Sequence, residues 1–298
     1  MISTHLTRGH QVAAYDVQLA HGKFLRLNQP QVMGIVNLAP DSFVAKSRCL
    51  GLNQAVDYAC QLVEEGAAII DIGAEPTNPS LSSELPENQE LDRLLPVLEQ
   101  LTKYVRVPIS IDTSKPKVMI ASIHMGAHLI NDVRALRLPG ALETAAALKA
   151  GICLMHMRYL DNVPKVPQDT IRSTFLGEIA SFLKNRIAAC LEQGIELQQL
   201  VIDPGIGYGS FGKTTAQNCQ ILQNLGAFQD LGCPLLIGAS RKTFIGDILQ
   251  VQEELRVPGS IAAAVIAALQ GAHLIRVHDV KETVAAIKIA RAIIEEGK

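Results

Sequence analysis

Short apolar runs recur along the chain, and each one ends on a polar or charged residue before a stretch with helical periodicity. Ile109-Ser110-Ile111 ends at Asp112, for example, and Leu200-Val201-Ile202 ends at Asp203. Runs of this length predict strands that are buried on both faces, and their alternation with helices predicts a parallel sheet. The residues at which the eight runs end are Asn37, Asp71, Asp112, Asn131, His156, Asp203, Ser240 and Arg276. Eight such units predict an α/β fold, a closed (β/α)8 TIM barrel, whose chemistry lies at the carboxyl ends of the strands.

The length of 298 residues suits one such barrel with short connecting loops. We predict a single barrel domain over residues 32–298, preceded by an N-terminal extension over residues 1–31. This extension is expected to form a small hairpin at the lower end of the barrel. Within the barrel, Ser114 before Pro116 predicts a capped helix start, because serine caps helices and proline suits their first turn.

Charge and composition restrict the classes of partner. The chain has 27 basic and 29 acidic residues and a formal charge of -2, which argues against a nucleic-acid surface. The longest apolar stretch, residues 261–269, is too short to span a bilayer. The six cysteines show no C-x-x-C pairing, which favours reduced thiols over a disulfide framework. We therefore expect a soluble cytoplasmic protein that binds neither nucleic acid nor a membrane.

The polar strand ends predict a site for a ring with an attached anion. Asp112, Asn131 and Asp203 would meet at the mouth of the barrel, where carboxylates accept paired N–H bonds from a 2-amino-pyrimidinone edge. A cationic group follows the seventh and eighth strands, where barrels often bind phosphate; it consists of Arg241, Lys242, Arg276 and His278. Together these residues predict an aminopyrimidine diphosphate as ligand.

Eight motifs at these strand ends resemble, in order, those of the dihydropteroate synthases. The resemblance runs from about residue 32 to the C-terminus, and its specificity comes from the ordered set, since each motif alone is weak. The motifs are Met33-Gly34-Ile35-Val36-Asn37-Leu38-Ala39-Pro40-Asp41-Ser42-Phe43, Asp71-Ile72-Gly73, Asp112-Thr113-Ser114-Lys115-Pro116, Ile130-Asn131-Asp132, Met155-His156-Met157, Asp203-Pro204-Gly205, Ser240-Arg241-Lys242 and Arg276-Val277-His278-Asp279-Val280.

The resemblance implies a folate-pathway transferase and a role for each matching residue. The family joins 6-hydroxymethyl-7,8-dihydropterin diphosphate to p-aminobenzoate, releasing pyrophosphate and giving dihydropteroate; sulfonamides mimic its aminobenzoate. The implied catalytic residues are Asp112, Lys242, Arg276 and His278. The implied pterin site is Asp112, Asn131, Met155, Asp203, Gly238 and Lys242. The implied pyrophosphate site is Asn37, Thr77, Arg276 and His278, with Asn37 also binding Mg²⁺. The aminobenzoate would be bordered by Phe43, Tyr208 and Thr243. The family also implies a homodimer that pairs through its last helices.

Other interpretations stay open for single features. Asp71 or Asp112 alone could be a loop residue or a helix cap, Asp203 before Pro204-Gly205 could form a turn, and His156 is best explained as structural. Residues 207–214 match the phosphate-binding pattern G-x-x-x-x-G-K-T, although the sixth barrel strand is an unusual place for it. A pterin-binding paralogue with weak or no synthase activity is the main alternative function. A methyl-transfer barrel and a metal-dependent hydrolase are weaker alternatives.

Departures from the family pattern fall on three loops. Asn78 stands where the family has an arginine near the pyrophosphate, and we hypothesise that Lys46 in the first loop partly replaces that charge. Pro76 and the loss of glycines should stiffen the second loop. Residues 210–212 resemble a three-residue insertion beside Tyr208, which predicts altered selectivity for the acceptor and for sulfonamides.

Overall fold

The computed structural model of the chain describes residues 13–38, 51–75, 85–158, 174–208 and 212–296. After an initial pair of strands, strands and helices alternate along this part of the chain. The strands are β1 (Tyr15–Gln18), β2 (Phe24–Leu27), β3 (Gln31–Asn37), β4 (Ile69–Gly73), β5 (Ile109–Asp112), β6 (Leu129–Asp132), β7 (Gly151–Met155), β8 (Leu200–Asp203), β9 (Leu236–Ile237) and β10 (Leu274–Val277). The helices are α1 (Leu52–Glu64), α2 (Glu87–Tyr104), α3 (Pro116–Met125), α4 (Ala141–Leu148), α5 (Phe175–Glu192), α6 (Thr215–Gln223), α7 (Thr243–Leu249), α8 (Val257–Leu269) and α9 (Val280–Glu296).

Strands β3 to β10 form a parallel sheet that closes into a barrel. Their spatial order is β8-β7-β6-β5-β4-β3-β10-β9. A parallel bridge between Ile202 of β8 and Leu235, the residue before β9, joins the two ends of this order. The Ile202 N–H donates to the Pro234 carbonyl at 3.0 Å across the same junction. The predicted TIM barrel is therefore confirmed, and its first strand begins at Gln31, one residue before the predicted boundary.

Alternating strand residues divide the barrel core into two parts, because successive side chains point to opposite faces. Residues such as Ile70, Ile111 and Ile202 pack with the helices in the large outer core. The residues that fill the lower barrel interior form a separate cluster, which also includes residues of β1 and β2. The members of this cluster that belong to the barrel strands are Met33, Ile69, Leu129, Cys153, Val201, Leu236 and Leu274. The strands are thus buried on both faces, which is why they read as continuous apolar runs.

The antiparallel pair β1 and β2 closes the amino end of the barrel. Val17, Leu25 and Leu27 are buried in the lower interior cluster. Two histidines beneath the barrel accept backbone hydrogen bonds through Nδ1: His128 from the Ile109 N–H at 3.1 Å and His273 from the Leu235 N–H at 3.0 Å. Burial is the main cause that lowers the pKa of each ring to about 4. Both rings are therefore neutral at physiological pH.

One helix start differs from its prediction. Helix α3 begins at Pro116, as the proline predicts, but the residue before it is Lys115 and no side chain caps the helix. The Ser114 hydroxyl instead donates to the Asp132 carboxylate of the neighbouring strand. Its oxygen accepts from Arg134 Nη1 at 3.1 Å, so the serine connects the loop after β5 to β6 and the turn that follows it.

None of the helices in the described part of the chain is long and apolar enough to cross a membrane. The five cysteines among these residues (Cys60, Cys153, Cys190, Cys219 and Cys233) are all free thiols.

Candidate active site

The polar residues that enter the barrel lie one inward position above the apolar layer of its lower interior. Asp71 follows Ile69 by two residues, and Asn131 follows Leu129 in the same way. Since strand side chains alternate, residues two apart share a face. The same rule places Met155, Asp203, Gly238 and Arg276 above Cys153, Val201, Leu236 and Leu274. The carboxyl end of the barrel interior is therefore a polar layer on an apolar floor.

Arg276 connects two buried carboxylates in this layer. Its Nε donates to Asp71 Oδ2 at 2.6 Å, and its Nη2 donates to Asp112 Oδ2 at 2.8 Å. Asp71 also accepts from Asn131 Nδ2 at 3.1 Å and from Ser110 Oγ at 2.5 Å. Burial raises the pKa of Asp112 to about 7, although the Arg276 charge opposes this shift. Burial would also lower the pKa of Arg276, but the carboxylates outweigh it and raise that pKa.

Asp203 and Lys242 form the opposite side of the layer. The Asp203 carboxylate accepts from the Gly205 N–H at 2.6 Å, in a turn where Gly205 has φ +70°. A Cβ at Gly205 would lie 2.0 Å from the His156 carbonyl oxygen, so only glycine fits this approach. Lys242 Nζ donates to the Ile206 carbonyl of the same turn. Burial lowers the pKa of Lys242 to about 8 against the opposing charge of Asp203.

His278 is neutral because it is buried, and the loop after β9 orients its ring. Its Nδ1 lies 3.0 Å from Ser240 Oγ, which also accepts from the His278 N–H at 3.2 Å. Burial, followed by the nearby Arg276 charge, lowers the pKa of His278 to about 3. The serine hydroxyl can donate to Nδ1, an arrangement that leaves Nε2–H as a donor toward the mouth. Arg241 is paired with Asp279 at 2.9 and 2.5 Å, so its charge is committed to that carboxylate.

A second charged network supports the start of the second loop. Lys115 Nζ contacts Glu75 at 3.0 Å and the fully buried Glu90 at 2.6 Å. Arg134 also reaches Glu75, at 3.5 Å, and donates to Ser114 Oγ at 3.1 Å. These contacts fix Glu75, which lies just beyond the end of β4. The network links the loop to β5, α2 and the turn after β6.

Comparison with known proteins identifies the family. The family described as pterin binding enzyme matches residues 33–278. The dihydropteroate synthase of Escherichia coli K12 is 44% identical over 274 residues, which is 92% of this chain and 95% of that protein. The chain belongs to the dihydropteroate synthase family. Two solved structures agree: a Coxiella burnetii dihydropteroate synthase in complex with pteroic acid has a TM-score of 0.84 at 42% identity and covers 95% of this chain and 99% of its own. A Yersinia pestis dihydropteroate synthase in a sulfonamide drug complex has a TM-score of 0.84 at 44% identity, and the match covers 94% of this chain and 98% of that one.

These comparisons confirm the predicted family, function and enzyme class, a transferase that makes dihydropteroate. The structure also brings most of the predicted site residues to one place, although their individual roles stay predictions. Those that lie at the carboxyl end of the barrel are Asn37, Asp112, Asn131, Met155, Asp203, Gly238, Lys242, Arg276 and His278.

Two further predicted residues lie at the rim, and the rest lie outside the described part. Tyr208 is half-buried, and its hydroxyl is hydrogen-bonded to Thr215 and Asp247. Thr243 is exposed at the first position of α7. The predictions for Phe43, Thr77, Lys46 and Asn78 concern residues outside the described chain, as do those for Pro76 and for residues 210 and 211.

Sequence reasoning missed three residues that the structure makes prominent. Asp71 taken alone predicts a loop or cap residue, yet its position two residues after the interior Ile69 is a signal that it enters the barrel. Glu75 carried no signal, because its partners come from distant segments. Lys213, the lysine of the G-x-x-x-x-G-K-T match, is buried with its Nζ 3.0 Å from His156 Nδ1, while Thr214 caps α6. This inward lysine argues against a nucleotide-binding loop.

Proposed function

We propose that this chain condenses 6-hydroxymethyl-7,8-dihydropterin diphosphate with p-aminobenzoate by using the polar layer at the carboxyl end of its barrel. The observation that carries this assignment of roles is the convergence of Asp112, Asn131, Asp203 and Lys242 on one buried mouth beside Arg276. The first four bind the pterin ring, and Arg276 and His278, together with Asn37 and Thr77, bind its diphosphate.

The pterin binds to acceptors on two sides of the mouth. Asp203, whose carboxylate also accepts from Gly205, takes the amino and ring N–H groups as paired hydrogen bonds. Asn131 offers its amide oxygen, because its Nδ2 is used by Asp71. The Lys242 ammonium donates to the edge of the pterin that carries its oxygen and a ring nitrogen. Met155 and Gly238 border the slot; a Cβ at Gly238 would meet the Arg276 Cβ at an ordinary 3.8 Å, so the protein itself leaves room there.

The diphosphate binds to neutral and charged donors. Arg276 uses two of its five N–H groups for Asp71 and Asp112, and the others face the phosphates. His278 adds an Nε2–H donor. Thr77 completes the set in this proposal.

A magnesium ion fits this donor set. Within the described ranges no group of three His, Cys, Asp or Glu side chains could enclose a metal ion. Mg²⁺, however, usually takes one or two protein oxygens together with substrate phosphates and water. Asn37 is half-buried at the end of β3, next to the Arg276 strand, and its amide oxygen is such a ligand. When bound, the ion would neutralise charge on the departing pyrophosphate.

The reaction is a displacement in which the chain mainly positions charge. The bond between the exocyclic methylene and the diphosphate oxygen breaks, and Arg276 and His278 stabilise the charge that leaves with pyrophosphate. Positive charge that develops on the methylene spreads into the pterin, and the Asp112 carboxylate lowers its energy. The aminobenzoate nitrogen then forms the new bond and loses a proton to water. Phe43, Tyr208 and Thr243 border this acceptor, and positioning matters more here than a strong base.

The assembly and location of the chain are further parts of the proposal. Ile289 and Ile293 lie one turn apart on α9 and are 64% and 69% exposed, and Ile266 on α8 is 47% exposed. A second copy of the chain covers these isoleucines in a homodimer. The free thiols support a reducing, cytoplasmic location.

The proposal is tested by mixing the purified chain with dihydropterin diphosphate, Mg²⁺ and labelled p-aminobenzoate, without ATP, and measuring dihydropteroate. We expect steady turnover that falls at least 100-fold in Asp203→Asn and is unchanged in the matched surface variant Asp230→Asn. Pterin binding without product would favour the paralogue without synthase activity. Equal rates in Asp203→Asn and wild type would remove Asp203 from the pterin site.

A further inference from the structure

The buried Lys213 is an ionisable residue that the reaction does not use, and burial lowers its pKa to about 7. Only 2% of it is exposed, although it follows the rim residue Tyr208 by five positions. Its Nζ lies 3.0 Å from His156 Nδ1 and 3.3 Å from the His156 carbonyl oxygen. Burial, followed by the Lys213 charge, lowers the pKa of His156 to about 2, so the neutral ring offers Nδ1 as an acceptor to the lysine.

Lys213 lies directly beneath the turn that presents the proposed pterin acceptor. A Cβ on Gly205 would be 3.3 Å from Lys213 Nζ and would overlap the His156 carbonyl, so these three groups are packed against one another. Gly205 in turn donates to the Asp203 carboxylate at 2.6 Å. The His156 N–H donates to the Asp203 carbonyl at 2.8 Å. Lys213 therefore contacts both segments that hold Asp203.

The same turn also holds Lys242, the cation of the proposed pterin site. Lys242 Nζ donates to the carbonyl of Ile206, the residue after Gly205. A shift of residues 204–206 would move the Asp203 carboxylate and the Lys242 ammonium together. The Lys213 backbone N–H donates to the Gly207 carbonyl at 3.3 Å, which closes this loop from its far end.

We infer that Lys213 is a positioning residue for the pterin, acting through His156 and Gly205 on Asp203 and Lys242. The inference rests on the proposed function, since it takes Asp203 and Lys242 as pterin contacts. It also gives the lysine of the G-x-x-x-x-G-K-T match a role: its side chain turns inward to support a turn of the barrel mouth. Its effect should fall on the pterin and spare the aminobenzoate.

The test compares Lys213→Met and the milder Lys213→Gln with Lys184→Met, a matched change of an exposed lysine on α5. The first measurement is the Kd for 6-hydroxymethylpterin, and the second is the KM for p-aminobenzoate at saturating dihydropterin diphosphate. We expect both Lys213 variants to weaken pterin binding at least 10-fold, with the aminobenzoate KM within twofold of wild type and the urea midpoint unchanged. Lys184→Met should match wild type in every measurement.

Three results would overturn the inference. Pterin affinity within twofold of wild type in a folded Lys213 variant would do so, as would an equal loss at the aminobenzoate site. Failure of both variants to fold would assign the lysine to folding instead. Asp203→Asn separates this inference from the proposed function. If Asp203→Asn and the Lys213 variants all bind pterin normally, the assignment of the pterin site fails. If Asp203→Asn alone loses pterin affinity, the site assignment stands and only the role of Lys213 is refuted.

Discussion

Asp71 provides the sharpest test of how this site is organised. Its carboxylate is fully buried and accepts hydrogen bonds from Ser110, Asn131 and Arg276. Asp71→Asn keeps the shape of the side chain but removes its charge and replaces one acceptor with a donor. Asn131 and Arg276 both donate to Oδ2 and Ser110 donates to Oδ1, so the single oxygen of the amide cannot accept from both sides. We therefore expect both stability and the orientation of Arg276 to suffer.

The size of the effect follows from the contact between Asp71 and Arg276. Two charges about 4 Å apart at an effective dielectric of about 20 attract by about 4 kcal/mol. Neutralising Asp71 also recovers part of the cost of burying its charge, whereas Arg276 keeps Asp112 at 2.8 Å. Breaking a buried ion pair from one side typically costs about 3 kcal/mol. A similar loss of transition-state stabilisation lowers kcat/KM about 100-fold, which corresponds to about 2.7 kcal/mol.

Two assays check this prediction. Urea unfolding should show a midpoint about 1 M lower than wild type, given a slope of about 3 kcal/mol per molar for a chain of this size. Steady-state kinetics should show the loss mainly in kcat, because the proposed mechanism has Arg276 acting on the leaving group. Asp16→Asn is the matched control, since Asp16 lies in an exposed pair with Arg26 at 3.8 Å and such pairs contribute little. A kcat/KM within threefold of wild type in Asp71→Asn would refute the idea that Asp71 orients Arg276.

Three further predictions concern protons and metal. Because the pKa of Lys242 is lowered to about 8, its ammonium is lost as pH rises through 8. The KM for dihydropterin diphosphate should therefore climb as pH rises from about one unit below this pKa to about one unit above it, and Lys242→Arg should flatten that rise. The pKa of His128 and of His273 is lowered from 6.5 to about 4. Between these two pH values the unfolded chain therefore binds more protons at these rings than the folded chain does. Their stabilising contribution is complete above pH 6.5 and is lost as pH falls to about 4, by about 3 kcal/mol for each ring. Unfolding of His273→Asn should be less acid-sensitive, while the exposed His124→Asn should follow wild type. Removing divalent cations with EDTA should lower kcat without weakening 6-hydroxymethylpterin binding, and added Mg²⁺ should restore the rate.

The alternation of inward and outward strand positions explains why much of this site was readable in the sequence. Asn131 and Asp132 are adjacent, but only Asn131 shares the inward face with Leu129. Asp132 points the other way and accepts from the Arg134 and Leu136 N–H groups in the following turn. Such a parity argument needs only the register of one strand. It assigns the inward residue correctly and would also have found Asp71.

Partners between distant segments could not be predicted in this way. Ser114 looked like a helix cap, yet its hydroxyl donates to Asp132 and accepts from Arg134, two partners that the neighbouring strand and its turn bring to it. Arg241 looked like a phosphate-binding cation, yet Asp279 holds it in a two-point ion pair. In both cases, the choice depends on which side chains the closed barrel places within hydrogen-bond reach.

The sequence by itself therefore determined the barrel and the identity of the residues at its mouth, because burial on both strand faces leaves an apolar run that ends where the site begins. Only the tertiary structure decided that Arg241 pairs with Asp279, that Asp71 and Asp112 hold Arg276, and that Lys213 turns inward to His156. The physical reason is that a buried charge takes the nearest opposite charge or acceptor. Closure of the barrel sets those distances across segments far apart in the chain.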